Sequence, residues 1–199
     1  MPTVNKANGL LAEFAIVPTD SDNQSAIVDR LIQNIMQFRK QLGFIAGTVF
    51  RSRDGLRATS YIQWADEASY VATNFESADI HLFDIFGAEP DPSELKLSVG
   101  MEGLINFGIF KMKQPENQAR FLELFTQALQ MVSGQPGLIS THAHRSLDGQ
   151  RCINFGHWRS LEDYAAMDGN RPFSPVFGEM LDLADNEYQR TLHEVVFTT

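Results

Sequence analysis

Gly137-Leu138-Ile139-Ser140-Thr141-His142-Ala143-His144-Arg145-Ser146-Leu147-Asp148-Gly149-Gln150-Arg151-Cys152-Ile153-Asn154-Phe155-Gly156-His157-Trp158, continued through Tyr164 to Ala166, decides how the chain is read. A displacement of 94 positions (137 − 43) lays this stretch on 43–72 without a gap. Ten of the thirty positions are then identical: Gly43/Gly137, Ile45/Ile139, Arg51/Arg145, Ser52/Ser146, Asp54/Asp148, Gly55/Gly149, Arg57/Arg151, Trp64/Trp158, Tyr70/Tyr164 and Ala72/Ala166. A repeat at this spacing means two copies of one module, each of ordinary domain size. The copies are placed at 1–102 and 103–199.

Working outward, each copy predicts the same order of elements. Leu10 to Val17 reads as a strand, and Ser21 or Asp22 can cap the helix that follows. Ile27, Val28, Leu31, Ile32, Ile35 and Met36 form its apolar side. Ile45–Arg51 and Arg57–Trp64 are strands joined at Asp54-Gly55, a strong hairpin signal. A short helix is expected after Asp66, an apolar helical segment over Ile80–Phe86, and a strand over Leu95–Val99. In the second copy Ile105–Met112 is a strand and Pro115 opens a helix with Phe121, Leu122, Phe125, Ala128, Leu129 and Val132 on one side. The Asp148-Gly149 hairpin follows, and Ser160 with Asp163 resembles a capping box. A helix over Phe173–Leu183 and a strand over Arg190–Phe197 close the chain. Each copy is thus β-α-β-β-α-β, an α+β, ferredoxin-like unit. Its bare sheet face needs a partner, and a tandem copy supplies one in the same polypeptide.

A turn at Asp148-Gly149 sets the register. Leu147 then faces Gln150, Asn154 faces Ala143 and Trp158 faces Ile139. Directly opposed residues share a face, so Asn154, Gly156 and Trp158 point one way while His142, His144 and His157 point the other. Ala143 and Gly156 are small and leave room beside Asn154 for a ligand. The first copy has Val49, Ser60 and Ile62 at these places, which fill the space. A working pocket is therefore expected in the second copy.

Net charge is −9, so nucleic acid and anionic membrane are not the expected partners. Cys152 is the sole cysteine, which excludes an internal disulfide and fits a reducing compartment. With no apolar signal core at the start and no apolar run of membrane length, the expected location is the cytoplasm. The histidine face raises a metal question. No carboxylate or cysteine is spaced to complete a site, and packed imidazoles are the simpler reading. No phosphate loop or nucleophile elbow is present.

The run Asn154-Phe155-Gly156-His157-Trp158 followed by Tyr164 resembles the antibiotic biosynthesis monooxygenase group of the dimeric α+β barrel superfamily. The resemblance implies two fused ferredoxin-like modules forming an intramolecular barrel, with a further homodimer open. It also implies cofactor-independent oxidation, by O2, of a hydrophobic phenolic, anthrone or quinoid molecule. Asn154 and Trp158 would hold the enolate and its oxygen adduct, and Tyr164 would position the ring or relay a proton. Ala143, Gly156 and Asn106 would line the substrate site. The competing structural reading makes Trp64, Trp158, Tyr70 and Tyr164 core anchors and turns Asn106 to solvent. Haem-degrading relatives carry a His about ten positions after the Trp. Asn74 and Asp168 stand there, against the haem alternative. A non-catalytic small-molecule-binding module is the remaining alternative.

Overall fold

The computed structural model describes residues 1–76, 78–169, 175–187 and 191–199. Its elements, in chain order, are β1 (Thr3–Val4), β2 (Leu11–Pro18), α1 (Gln24–Phe38), β3 (Phe44–Ser52), β4 (Arg57–Trp64), β5 (Asp79–Glu89), β6 (Leu95–Lys96), β7 (Leu104–Met112), α2 (Asn117–Val132), β8 (Leu138–Ser146), β9 (Arg151–Trp158), α3 (Leu161–Gly169), α4 (Pro175–Leu183), β10 (Ala184–Asn186) and β11 (His193–Thr198). The chain is α+β and contains two ferredoxin-like modules. One compact unit comprises 1–84, 94–101 and 193–199, and the other 85–93 and 102–192.

In the first unit the antiparallel order is β5-β2-β4-β3, the ferredoxin-like arrangement, with β11 added beside β3. Val28, Leu31 and Ile35 of α1 pack on Val17, Val49, Ala58, Ile62 and Trp64, forming a filled core. The second unit has β7 between β10 and β9, with β8 on the far side of β9. Phe121, Leu124, Phe125 and Leu129 of α2 pack on Phe110, Met112, Ala143 and Cys152.

The hairpins repeat in detail. Ser52 Oγ accepts from Arg57 N at 2.8 Å, and Ser146 Oγ from Arg151 N at 2.8 Å. Gln24 Nε2 donates to the carbonyls of Ser52 and Arg57, and Gln118 Nε2 to those of Ser146 and Arg151. One glutamine per copy thus staples the helix start to both hairpin arms. Each such bond contributes about 0.5–1.5 kcal/mol net. Gly43 and Gly137 leave their helix–strand turns at φ 82° and 81°, pressed against Ser69 and Asp163.

Several sequence expectations need correction. Ile80–Phe86 is part of strand β5, not a helix. Its apolar residues satisfy either period, and pairing with β2 decides for the strand. The helix expected after Asp66 is only a turn, with Asp66 accepting from Ser69 N at 2.8 Å. Glu13 takes the Thr73 N–H at 2.8 Å, which a continuing helix would have used. The strand at Leu95 stops at Lys96. Asp20, rather than Ser21 or Asp22, accepts the backbone N–H groups of Asp22 and Asn23 at the start of α1. The Ser160–Asp163 cap is present, with Asp163 N donating to Ser160 Oγ at 3.1 Å. Residues 173–174 and 190, assigned above to a helix and a strand, lie outside the described residues.

Gly134 and Gly137 both have positive φ, but a Cβ on Gly134 meets nothing within 4 Å, whereas one on Gly137 would fall 2.2 Å from Asp163 Cβ. Gly134→Ala should therefore cost only the left-handed strain, about 1–2 kcal/mol. Gly137→Ala should cost more, about 2–4 kcal/mol. Urea midpoints of the two variants check the order.

Candidate active site

The hairpin register predicted from the Asp148-Gly149 turn holds along most of the β8–β9 pair. Asn154 opposes Ala143, Thr141 opposes Gly156 and His142 opposes Phe155. An irregularity between Leu138 and Ser140 then shifts the pairing, so Trp158 faces Leu138 instead of Ile139. Ile139 is turned outward, 47% exposed. Asn154 and Trp158 therefore share the sheet face that carries α2, together with Asn106 and Gly108 of β7.

Between that face and the helices lies a cavity of about 180 Å³. Its floor is Asn106, Gly108, Thr141, Asn154 and Trp158, and Phe125, Leu129 and Val132 of α2 form part of its roof. Tyr164, Met167, Phe177, Met180 and Asn186 form part of the described wall. Tyr164 is the one ionisable side chain among the described lining residues.

The polar groups are held in pairs. Thr141 Oγ1 donates a short hydrogen bond to Asn154 Oδ1. Asn106 Nδ2 donates to the Tyr164 hydroxyl at 3.0 Å. Trp158 and Tyr164 meet edge to face at 5.3 Å and 70°. Asn154 Nδ2 and Trp158 Nε1 have no protein acceptor among the described residues, yet neither is sealed from open space. Two N–H donors on one strand face thus border an apolar cavity unpaired, where an unused donor is costly unless a ligand or water takes it.

Not every residue singled out from sequence lines the cavity. Asn154, Trp158, Tyr164 and Asn106 do. Ala143 is fully buried in the core cluster. Gly156 lies beneath the indole, where a Cβ would stand 3.0 Å from Trp158 Nε1. It makes room for Trp158 rather than directly for a ligand. Trp158 and Tyr164 also pack with Leu192, so they are core anchors and cavity wall together. Sequence reasoning missed Thr141 and Gly108. The same register places Thr141 on the Asn154 face, whereas Gly108 opposite Asn154 needed the β7–β9 pairing.

The first module shows the contrast. Gly47, Ser60 and Ile62 replace Thr141, Asn154 and Gly156. A Cβ on Gly47 would lie 2.6 Å from Ile35 Cγ2, and Ile62 and Val49 belong to the same core. Trp64 Nε1 and Ser60 Oγ are sealed off without partners among the described residues.

No histidine lines the cavity. His142, His144 and His157 occupy the other sheet face, and no group of three or more metal-ligating side chains that could hold an ion occurs among the described residues. Asn74 is exposed, and the Asp168 side chain lies outside what is described. The described lining therefore offers no imidazole to a haem iron.

Residues 108–174 match the family model of antibiotic biosynthesis monooxygenase. That match lies wholly within the second module. Tetracenomycin-F1 monooxygenase of Streptomyces glaucescens is 31% identical over 75 residues, a match spanning 37% of this chain and 64% of that protein. A solved anthrone oxidase-like protein superposes with a TM-score of 0.83 at 16% identity, covering 100% of this chain and 96% of the other. A ferredoxin-fold protein from Listeria monocytogenes 4b F2365, related to antibiotic biosynthesis monooxygenases, superposes with a TM-score of 0.53 at 13% identity, covering 98% and 100%. These two likenesses speak to the fold. No helix among the described residues is long and apolar enough to cross a membrane.

The buried histidines give the module a pH dependence. Burial holds His142 down to about 4 and His144 to about 3, so both are neutral when folded at pH 7. An unfolded chain binds those protons near pH 6.5, at about the ordinary histidine value. Stability is therefore fully present above that value and is lost as pH falls towards 4 and then 3. The urea midpoint should drop between pH 7 and 5, and His144→Leu should flatten that slope.

Proposed function

We propose that the second module binds a planar phenolic, anthrone-like or quinoid molecule as its enolate and promotes its reaction with O2 without a resident cofactor. The observation that carries this reading is the pair of unpaired donors, Asn154 Nδ2 and Trp158 Nε1, on one face of β9 over an apolar cavity. The names of a tetracenomycin-F1 monooxygenase and an anthrone oxidase-like protein among the similar proteins support the substrate class.

The chemistry follows from where charge develops. An electron-rich enolate passes one electron to O2, and the radical pair combines into a carbon-bound peroxide. Loss of the proton on that carbon, with O–O cleavage, leaves a new carbonyl. Anthrone and O2 thus give anthraquinone and water. Asn154 Nδ2 holds the enolate oxygen, lowering the cost of ionising the substrate in a site poor in water. Trp158 Nε1 donates to the peroxide oxygen. Tyr164, fixed by Asn106, positions the ring or passes a proton to the departing oxygen. The apolar roof limits contact with bulk water, which strengthens each of these dipoles.

Oxygen uptake with anthrone tests the reading. Asn154→Ala and Trp158→Phe should each lower kcat by about 10²–10³, the usual loss for one donor at a developing anion. Trp64→Phe, at the matching place in the first module, should leave kcat unchanged. Wild-type rates in both second-module variants would remove the assigned roles.

A further inference from the structure

We infer that Thr141 is a positioning residue that decides which way the Asn154 amide faces, and thereby makes the cavity a site for an anionic oxygen. This rests on the enolate reading above. Thr141 lies on β8 opposite Gly156, is only 1% exposed, and reaches across the hairpin to Asn154. Its hydroxyl carries a single hydrogen. Among the described residues, Asn154 Oδ1 is the one acceptor within its reach.

That limit breaks the symmetry of the amide. An asparagine can present either its oxygen or its NH2 to a ligand, and the two orientations have nearly the same shape. With Oδ1 towards Thr141, the hydroxyl is satisfied and Nδ2 faces the cavity. With the amide reversed, Nδ2 would donate to Oγ1, and the threonine hydrogen would be left buried without an acceptor. A buried donor without a partner is costly, so the reversed amide is disfavoured. The cavity then receives a donor, which stabilises an oxyanion, instead of an acceptor, which would repel one.

The first module carries neither half of the device. Gly47 stands at the Thr141 position and Ser60 at the Asn154 position. The Ser60 hydroxyl is buried without a partner among the described residues. The threonine–asparagine pair thus accompanies the open cavity and is missing where the same space is packed solid.

The test uses 1,8-dihydroxyanthraquinone, whose visible spectrum reports ionisation of its hydroxyl, alongside turnover of anthrone. Wild-type protein should bind the phenolate in preference, moving the apparent ionisation to lower pH. Thr141→Val and Thr141→Ala should each lose about ten-fold of that preference and about ten-fold in kcat with little change in KM, the pattern of an interaction made chiefly in the transition state. Thr141→Ser, which restores the hydroxyl, should stay close to wild type. A packing role alone would move thermal stability without moving the probe's ionisation. Phenolate preference and kcat unchanged in both Val and Ala variants would overturn the role of Thr141 while leaving the enolate site standing. No phenolate preference in the wild type would overturn both.

Discussion

The register of the β8–β9 hairpin is the constraint on which the functional reading depends. Asp148 and Gly149 turn the chain, with Gly149 at φ 77°, and Gln150 N donates to Asp148 Oδ1 at 2.9 Å. Ser146 Oγ accepts from Gln150 and Arg151, and Gln118 ties both arms to the start of α2. Strand side chains alternate faces, so a slip by one residue would turn Asn154 and Trp158 away from α2 and bring the histidines under it. The turn chemistry and the glutamine staple hold that alternative off. The cavity chemistry is therefore set at the hairpin end, some distance from the cavity itself.

The same staple operates in the first module, where Gln24 holds Ser52 and Arg57, yet the result there is a closed core. The difference is one of side-chain volume on a common frame. Ile35, Val49 and Ile62 occupy space that the second module leaves to Leu129, Ala143 and Gly156. Glu13, paired with Ile62, stands where Asn106, paired with Gly156, stands in the second module. Burial raises the Glu13 carboxyl above the ordinary range, and its hydrogen bonds to Thr73 anchor the segment after Asp66. At the corresponding place Asn106 instead supports Tyr164 in the cavity wall. Two copies of one frame thus serve packing in one case and a ligand-sized space in the other.

Much of this was readable in the residues. The repeat, the Asp-Gly turns and the small residues around Asn154 point to the second copy, whereas Trp158 and Tyr164 enter through the family resemblance and Asn106 as a separate candidate on the first strand of that copy. The assignments of Ala143 and Gly156 to the substrate site show where that reasoning stops. Smallness on the correct face says that space exists, but not which neighbour takes it. Here the core takes the space at Ala143 and the Trp158 indole takes it at Gly156. The segment Ile80–Phe86 shows a second limit, since a short apolar run carries both periodicities and only a strand partner resolves them.

Local rules therefore determined the module count, the hairpin register and the two faces of β9, because turn geometry and strand alternation act between residues close in sequence. Only the tertiary structure decided that Thr141 meets Asn154, that Gly108 opens the floor beneath it, and that Asn106 holds Tyr164. The Asn106–Tyr164 contact joins residues 58 positions apart, and the pairing of Gly108 with Asn154 spans 46 (154 − 108). Which donors remain unpaired after such contacts form is a property of the whole packed module, and no window of sequence contains it.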